Sequence, residues 1–175
     1  FFVPHDIEGL IKIMGGKQTF VNRLWHLFEK GYYDPTNEPD IAYAYLFSRV
    51  RGEEWRTQRL VRELIDKNYT TEAWGLPGND DTGTMSAWLV FSMMGIYPDC
   101  PGEPYYTITT PRFDSVEIDT SEGIVSITVE RSSPDAHYIE SMTLGDKPLK
   151  RYRISHDELL KHKELKLKLK QYEKD

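Results

Sequence analysis

The feature that most constrains the fold is a change in hydrophobic period near Pro98. Before it, apolar residues recur three and four positions apart, which predicts helices over 7–14, 20–28, 40–50, 53–68 and 84–94. After it, apolar and polar residues alternate and Ile, Val, Thr and Tyr are frequent, which predicts strands over 105–109, 115–119, 124–130, 138–144 and 164–169. The sequence therefore predicts an α+β fold, with a helical part at 1–96 and a small β-rich part at 97–175.

Local signals mark the ends of several of these elements. Thr19 is placed to N-cap the second helix, and Gly31 to end it. A turn at 121–123 favours a hairpin between two of the strands. Ser155 followed by Glu158 has the spacing of a capping box, which predicts one more short helix.

Charge and composition exclude several classes of function. The 175 residues carry 22 Lys and Arg against 28 Asp and Glu, a net charge of −6, which argues against a nucleic-acid partner. The single cysteine, Cys100, excludes an internal disulfide framework and a zinc site built from several cysteines. No run of 18 apolar residues is present, so no membrane span is expected. The chain opens at Phe1 without Met or a basic leader, so we expect it to be internal to a larger gene product.

Two polar loops lie between strongly apolar helices and hold most of the candidate chemistry. One is Asn37-Glu38-Pro39-Asp40 and the other is Asn79-Asp80-Asp81. Their carboxylate and amide oxygens suit a hard cation such as Ca²⁺, and paired acids also suit general acid and base work. Helix capping is the alternative, with Asp81 or Thr82 at the fifth helix and Asp40 at the third. Spacing alone leaves both interpretations open.

Aromatic and histidine side chains flank the same loops. Trp74 begins the glycine-rich stretch 74–83 that contains the second loop, and Trp88 lies on the helix that follows. An aromatic ring beside carboxylates suits sugar binding, whereas a tryptophan on an apolar helix more often belongs to the core. His5, with Asp6 beside it, is either a site residue or a cap or core side chain.

Four segments together resemble a known enzyme family. They are 1–16 (FFVPHDIEGLIKIMGG), 32–47 (YYDPTNEPDIAYAYLF), 53–65 (EEWRTQRLVRELI) and 75–118, which opens GLPGNDDTGTMSAW. In order and spacing they closely resemble the C-terminal part of glycoside hydrolase family 92, the calcium-dependent exo-acting α-mannosidases. The resemblance covers essentially the whole chain. It implies that 1–96 are the last helices of an (α/α)6 toroid and that 97–175 form a smaller β-rich part beside it.

The resemblance also implies a site. The family inverts configuration, with one carboxyl group as acid and another as base. Its base lies in the loop that matches 78–83, where Asp81 is the best match and Asp80 the alternative. Its calcium loop matches Asn37 and Glu38, and the cation contacts hydroxyls of the terminal mannose. Where some members have a second acid this chain has Asn79. The substrate-binding residues expected from this comparison and from the aromatic pattern are His5, Asp6, Trp74, Asn79 and Trp88.

The family's general acid is a glutamate upstream of the segment that matches Phe1. The resemblance therefore implies a fragment of an α-mannosidase acting on mannose-containing glycans. The isolated chain is expected to be inactive, with its open toroid face covered by the remainder of the enzyme or by self-association. A secreted, periplasmic or cell-surface location is implied. The alternative is a non-catalytic carbohydrate-binding or structural module.

Overall fold

The computed structural model describes residues 1–171 and has an α+β fold. The chain divides into two compact units, one over Phe1–Leu89 and a second that begins at Val90. This division lies inside a helix, whereas the sequence placed the boundary after residue 96. None of the helices described is both long enough and apolar enough to cross a membrane.

The first unit is helical. Its elements are α1 (Ile7–Ile13), α2 (Lys17–Glu29), two 3-10 segments (Glu38–Asp40 and Tyr43–Arg49), α3 (Glu54–Asn68) and the start of α4 (Thr84–Met94). The predicted helix over 40–50 is thus a 3-10 helix rather than an α-helix. Five consecutive side chains from Tyr43 to Phe47 are buried, so this segment has core on all sides instead of a single apolar stripe.

The ends of α1 and α2 follow from one cap and two glycines. Asp6 N-caps α1, because its Oδ1 accepts a hydrogen bond from the Gly9 N–H at 2.8 Å. Gly16 precedes α2 with φ 96° and ψ 176°. Glycine adopts this conformation readily because it has no Cβ, whereas other residues rarely do. The predicted N-cap at Thr19 is therefore wrong: the helix begins at Lys17, and Thr19 lies within its first turn.

The second unit is built mainly from strands. They are β1 (Ile96–Tyr97), β2 (Tyr105–Ile108), β3 (Ser115–Thr120), β4 (Gly123–Arg131), β5 (Tyr138–Leu144), β6 (Lys147–Leu149), β7 (Arg153–Ser155) and β8 (Glu164–Lys170). One sheet has the order β1-β2-β7, and the other has the order β3-β4-β8-β5-β6. Strand β8 lies between β4, to which it is parallel, and β5, to which it is antiparallel. Its alternate residues Leu165, Leu167 and Leu169 are buried in the core of this unit.

Several predicted features of this unit are present. The hairpin turn at 121–123 joins β3 to β4, with Thr120 paired to Gly123. Helix α5 (His156–His162) begins with the predicted capping box between Ser155 and Glu158. The Arg151 guanidinium, together with the Ser155 N–H, lowers the pKa of Glu158 to about 2. Strands β1, β6 and β7 were not predicted, because two or three residues are too few to establish an alternating pattern.

Candidate functional site

The first loop, residues 34–40, is folded by its own carboxylates. Asp34 Oδ1 accepts from the Thr36 N–H at 2.9 Å and from the Thr36 hydroxyl at 2.7 Å, and these bonds lower the pKa of Asp34. Asp40 accepts from Asn37 Nδ2 at 3.1 Å and from the Asp34 N–H at 3.3 Å. Asp34 and Asp40 are therefore used to shape the loop, and neither caps a helix in the way that the sequence suggested for Asp40.

Tyr43 supports this loop from the protein interior. Burial raises the pKa of the Tyr43 hydroxyl, and the negative charge and hydrogen bond of Asp40 raise it further. The same hydroxyl accepts from the Phe2 backbone, and the Phe1 ring packs edge-on against Tyr43 at 5.7 Å between ring centroids. The amino-terminal residues thus help to hold the first loop in place.

The second loop, residues 78–83, leads into α4, and Asp80 is the residue that caps this helix. Its Oδ1 accepts from the Ser86 N–H at 2.8 Å, and its backbone carbonyl accepts from the Met85 N–H at 3.1 Å. The alternative in which the side chain of Asp81 or Thr82 caps this helix is therefore wrong, because the side chain of Asp80 does so. This arrangement satisfies two N–H groups that the first turn of a helix leaves without partners.

The three residues after Asp80 have an unusual backbone. Asp81, Thr82 and Gly83 have positive φ angles of 49°, 62° and 92°. Aspartate tolerates this region better than most residues, but a β-branched threonine is a clear outlier there. Such residues cost on the order of 1–3 kcal/mol each and concentrate at functional sites. The half-buried Asp81 carboxylate has no hydrogen bond or ion pair with any residue in 1–171.

The two loops adjoin each other. The Thr84 hydroxyl donates to the Asp81 backbone carbonyl at 2.7 Å, and it lies 3.3 Å from Glu38 Oε1. Gly78 faces Thr36, and a Cβ added to Gly78 would come within 2.9 Å of the Thr36 Cβ. Any residue other than glycine at position 78 would push the loops apart.

Asn37 and Glu38 each leave a side-chain oxygen open in the first loop. Asn37 donates through Nδ2 to Asp40, which leaves its Oδ1 as an available acceptor, and both side chains are exposed. Among residues 1–171, no group of three or more His, Cys, Asp or Glu side chains has the arrangement of a metal site. Carboxylate and amide oxygens are the donors that Ca²⁺ prefers, and they fit part of such a site. The remaining ligands would be waters, ligand hydroxyls or groups outside residues 1–171.

Trp88 has a structural position that corrects one of the predicted site residues. Its side chain is 2% exposed, its Nε1 donates to the Ile41 carbonyl at 2.9 Å, and its ring stacks on Tyr69 at 5.5 Å. A ring buried among these partners cannot stack on a sugar, so the predicted substrate contact of Trp88 is wrong. Burial, and secondarily the charge of Asp80, raise the pKa of Tyr69 to about 12.

The other predicted substrate residues are placed differently. Trp74 is 93% exposed, and Asn79 is exposed beside Asp80 in the second loop. Asp6 caps α1, and His5 next to it is exposed. In the part of the chain that the structure describes, neither His5 nor Asp6 hydrogen-bonds to either loop. The structure therefore brings together Asn37, Glu38, Asp80 and Asp81, and leaves His5 outside this set of contacts.

Sequence reasoning missed two residues that organise the site. Thr84 joins the loops, and Tyr69 stacks on the buried Trp88 while the charge of Asp80 acts on its hydroxyl. The spacing of Thr84, three residues after Asp81 at a helix start, was the available signal, because hydroxyls there can return to the loop backbone. Tyr69 gave no comparable signal. It follows the last residue of α3, and only the folded chain brings it near Asp80, which is 11 residues further along.

Comparison with known proteins identifies the family. The family model for the glycosyl hydrolase family 92 catalytic domain matches residues 1–171. A protein from Arthroderma benhamiae described as an uncharacterized secreted glycosidase is 34% identical over 97% of this chain and 22% of its own length.

Two solved structures from Bacteroides thetaiotaomicron are also similar. A family GH92 α-mannosidase in complex with mannoimidazole is 29% identical, with a TM-score of 0.86 over 98% of this chain and 24% of that one. A family GH92 inverting mannosidase is 32% identical, with a TM-score of 0.83 over 95% of this chain and 26% of that one. The chain thus spans about a quarter of the length of these relatives. It belongs to glycosyl hydrolase family 92.

Proposed function

We propose that this chain is the C-terminal part of the catalytic region of an inverting, calcium-dependent α-mannosidase, and that Asp81 is its general base. The observation that carries the proposal is the different use of two adjacent acids. Asp80 is committed to capping α4, whereas the Asp81 carboxylate is held by a strained backbone with its oxygens unengaged by residues 1–171. A base needs free lone pairs; within the part of the chain that the structure describes, both carboxylate oxygens of Asp81 are unengaged, whereas Oδ1 of Asp80 is held by the Ser86 N–H.

The reaction explains why such a carboxylate is useful. In an inverting glycosidase, one carboxylic acid protonates the leaving oxygen while a carboxylate on the opposite face deprotonates the attacking water. The two groups stand about 6.5–9.5 Å apart, which leaves room for that water. Asp81 would take the water proton. We assign the acid to a part of the enzyme outside this chain, which spans about a quarter of its relatives.

Asn37 and Glu38 would hold the calcium ion together with ligands from elsewhere. A bound Ca²⁺ would orient and polarise the hydroxyls of the terminal mannose. Asp34 and Asp40 serve this role indirectly, since their hydrogen bonds fix the loop that presents the two ligands. The compound bound in the related α-mannosidase structure, mannoimidazole, supports a mannose-containing glycan as substrate.

The remaining parts of the proposal concern the whole enzyme. The helices of the first unit would complete an (α/α)6 toroid with helices from the rest of the protein, which would also cover their open face. The isolated chain would not hydrolyse a mannoside. The secreted description of the Arthroderma relative supports a location outside the cytoplasm.

Two matched substitutions in the full-length enzyme test the assignment of the base. Asp81→Asn should lower kcat by about 10²–10⁴-fold, because it removes general base catalysis. Asp80→Asn should retain most of the activity, because an asparagine oxygen can still accept from the Ser86 N–H as a cap. Near-normal turnover in Asp81→Asn, or the larger loss in Asp80→Asn, would contradict the assignment.

The stereochemistry provides an independent measurement. Proton NMR of the first-formed sugar should show β-mannose, the inverted anomer of an α-linked substrate, before mutarotation. If α-mannose is formed first, the mechanism is not inverting. The role of Asp81 as a base that deprotonates the attacking water in a single displacement would then be wrong.

A further inference from the structure

The Thr84 side chain contacts both halves of the candidate site. Its hydroxyl is 2.7 Å from the backbone carbonyl of Asp81 and 3.3 Å from Oε1 of Glu38, a residue 46 positions earlier in the chain. Among the described residues, it is the one whose side-chain hydrogen bonds join the first loop to the second. The two loops also meet where Gly78 faces Thr36, but that contact is van der Waals packing and involves no hydrogen bond.

This hydroxyl is not needed to cap the helix that it begins. The first turn of a helix leaves N–H donors without partners, and these require acceptors. Asp80 supplies the acceptors for Met85 and Ser86, and the Thr84 N–H donates to the Asp81 carbonyl. The Thr84 hydroxyl acts instead as a donor toward two oxygen atoms, so its contacts serve the loops rather than the helix.

The two acceptors share one proton. A hydroxyl has one proton, and the two distances describe a three-centre hydrogen bond, with a short branch to the Asp81 carbonyl and a longer branch to Glu38 Oε1. Because the Glu38 carboxylate is charged, a bond to it is intrinsically the stronger kind. The contact between Glu38 Oε1 and the Thr84 hydroxyl orients the carboxylate and leaves Oε2 open.

We propose that Thr84 is a positioning residue that couples the calcium loop to the base loop: its hydroxyl orients the Glu38 carboxylate toward the cation while it holds the backbone of Asp81. This inference rests on the proposed function and goes beyond it, because it assigns a role to a residue that is neither a proposed calcium ligand nor the proposed base. Groups that orient a metal ligand typically change metal affinity about 10–100-fold when they are removed.

The test uses the full-length enzyme stripped of calcium and titrated with CaCl2 in a calorimeter. Thr84→Val removes the hydroxyl and keeps the shape, and it should weaken calcium binding about 10–100-fold. Thr84→Ser keeps the donor and should restore the affinity. If the valine variant is unstable, Thr84→Ala replaces it and should weaken calcium binding to a similar extent.

Thr57→Val is the matched control. Thr57 lies on α3, is fully buried, and its hydroxyl has no hydrogen-bond partner in residues 1–171, so the same isosteric change removes nothing that orients a ligand. Its calcium affinity should equal that of the unsubstituted enzyme. A loss of affinity as large as that of Thr84→Val would show that the effect is general destabilisation and would overturn the inference.

Kinetics separate coupling from a purely local role. At saturating calcium, Thr84→Val should keep a lowered kcat, because the lost hydroxyl also held the Asp81 backbone. Full recovery of kcat at saturating calcium would place Thr84 in the calcium loop alone and overturn the coupling. A low kcat with unchanged calcium affinity would place Thr84 in the base loop alone and overturn the coupling. Unchanged affinity and unchanged kcat would also overturn it. If the unsubstituted enzyme itself binds no calcium, the proposed calcium site is wrong. If it binds calcium and Thr84→Val binds it equally well, only the role of Thr84 is wrong.

Discussion

Substitution of Trp88 by phenylalanine tests how much this buried ring and its hydrogen bond stabilise the fold. The indole Nε1 donates to the Ile41 carbonyl at 2.9 Å, and removing the donor leaves a buried acceptor unsatisfied, at a cost of about 1–3 kcal/mol. Phenylalanine is smaller by roughly 40 Å³, and at about 24 cal/mol per Å³ the cavity adds about 1 kcal/mol. We therefore expect Trp88→Phe to lower the free energy of unfolding by about 2–4 kcal/mol.

Urea denaturation followed by circular dichroism measures this change, and Trp74→Phe is its control. Trp74 is 93% exposed, so the same chemical change there should alter the unfolding free energy by less than about 0.5 kcal/mol. Equal effects of the two substitutions, or a loss below about 1 kcal/mol for Trp88→Phe, would refute the argument from burial and hydrogen bonding.

Two further predictions concern titration and capping. The pKa of Tyr69 is raised to about 12 from its ordinary value of 10, so its contribution to stability is complete below pH 10 and is lost as the pH rises toward 12. Asp80→Asn should lower this pKa only in part, because burial is the larger cause; the difference in tyrosinate absorbance against Tyr69→Phe measures it. Ser155→Ala removes the acceptor for the Glu158 N–H and should cost about 0.5–2 kcal/mol in urea denaturation, whereas Ser155→Asp should retain most of the stability.

The sequence predicted those elements whose signals are local. Helix α4 has the predicted bounds, Thr84–Met94, because a polar glycine-rich loop before it and Gly95 after it mark both ends. Strand β5 also has its predicted bounds, and the capping box at Ser155 is formed as expected. In each case the residues that determine the structure lie within a few positions of each other.

The features that the sequence did not predict depend on contacts between distant residues. Strand β7 has three residues and exists because β2 pairs with it from about 50 positions away in the chain. The contact between Thr84 and Glu38 spans 46 residues, and the hydrogen bond from Trp88 to Ile41 spans 47. The sequence pattern around residues 38–41 or 84–88 does not indicate which residue each segment contacts. The roles of Thr84 and Trp88 are therefore visible only in the folded structure.

The adjacent acids Asp80 and Asp81 show why residue type and spacing are insufficient to assign chemistry within a loop. Both are aspartates beside the start of the same helix, and spacing alone offered Asp81 or Thr82 as a possible cap. The backbone decides otherwise: three positive φ angles after Asp80 turn the chain so that Asp80 reaches the Ser86 N–H and Asp81 does not. The strain of that turn is stabilised by the cap itself, since Asp80 closes the loop onto α4. Capping and the proposed catalysis are therefore complementary here, because the acid that caps the helix holds its neighbour in a conformation that leaves the neighbour's carboxylate unengaged.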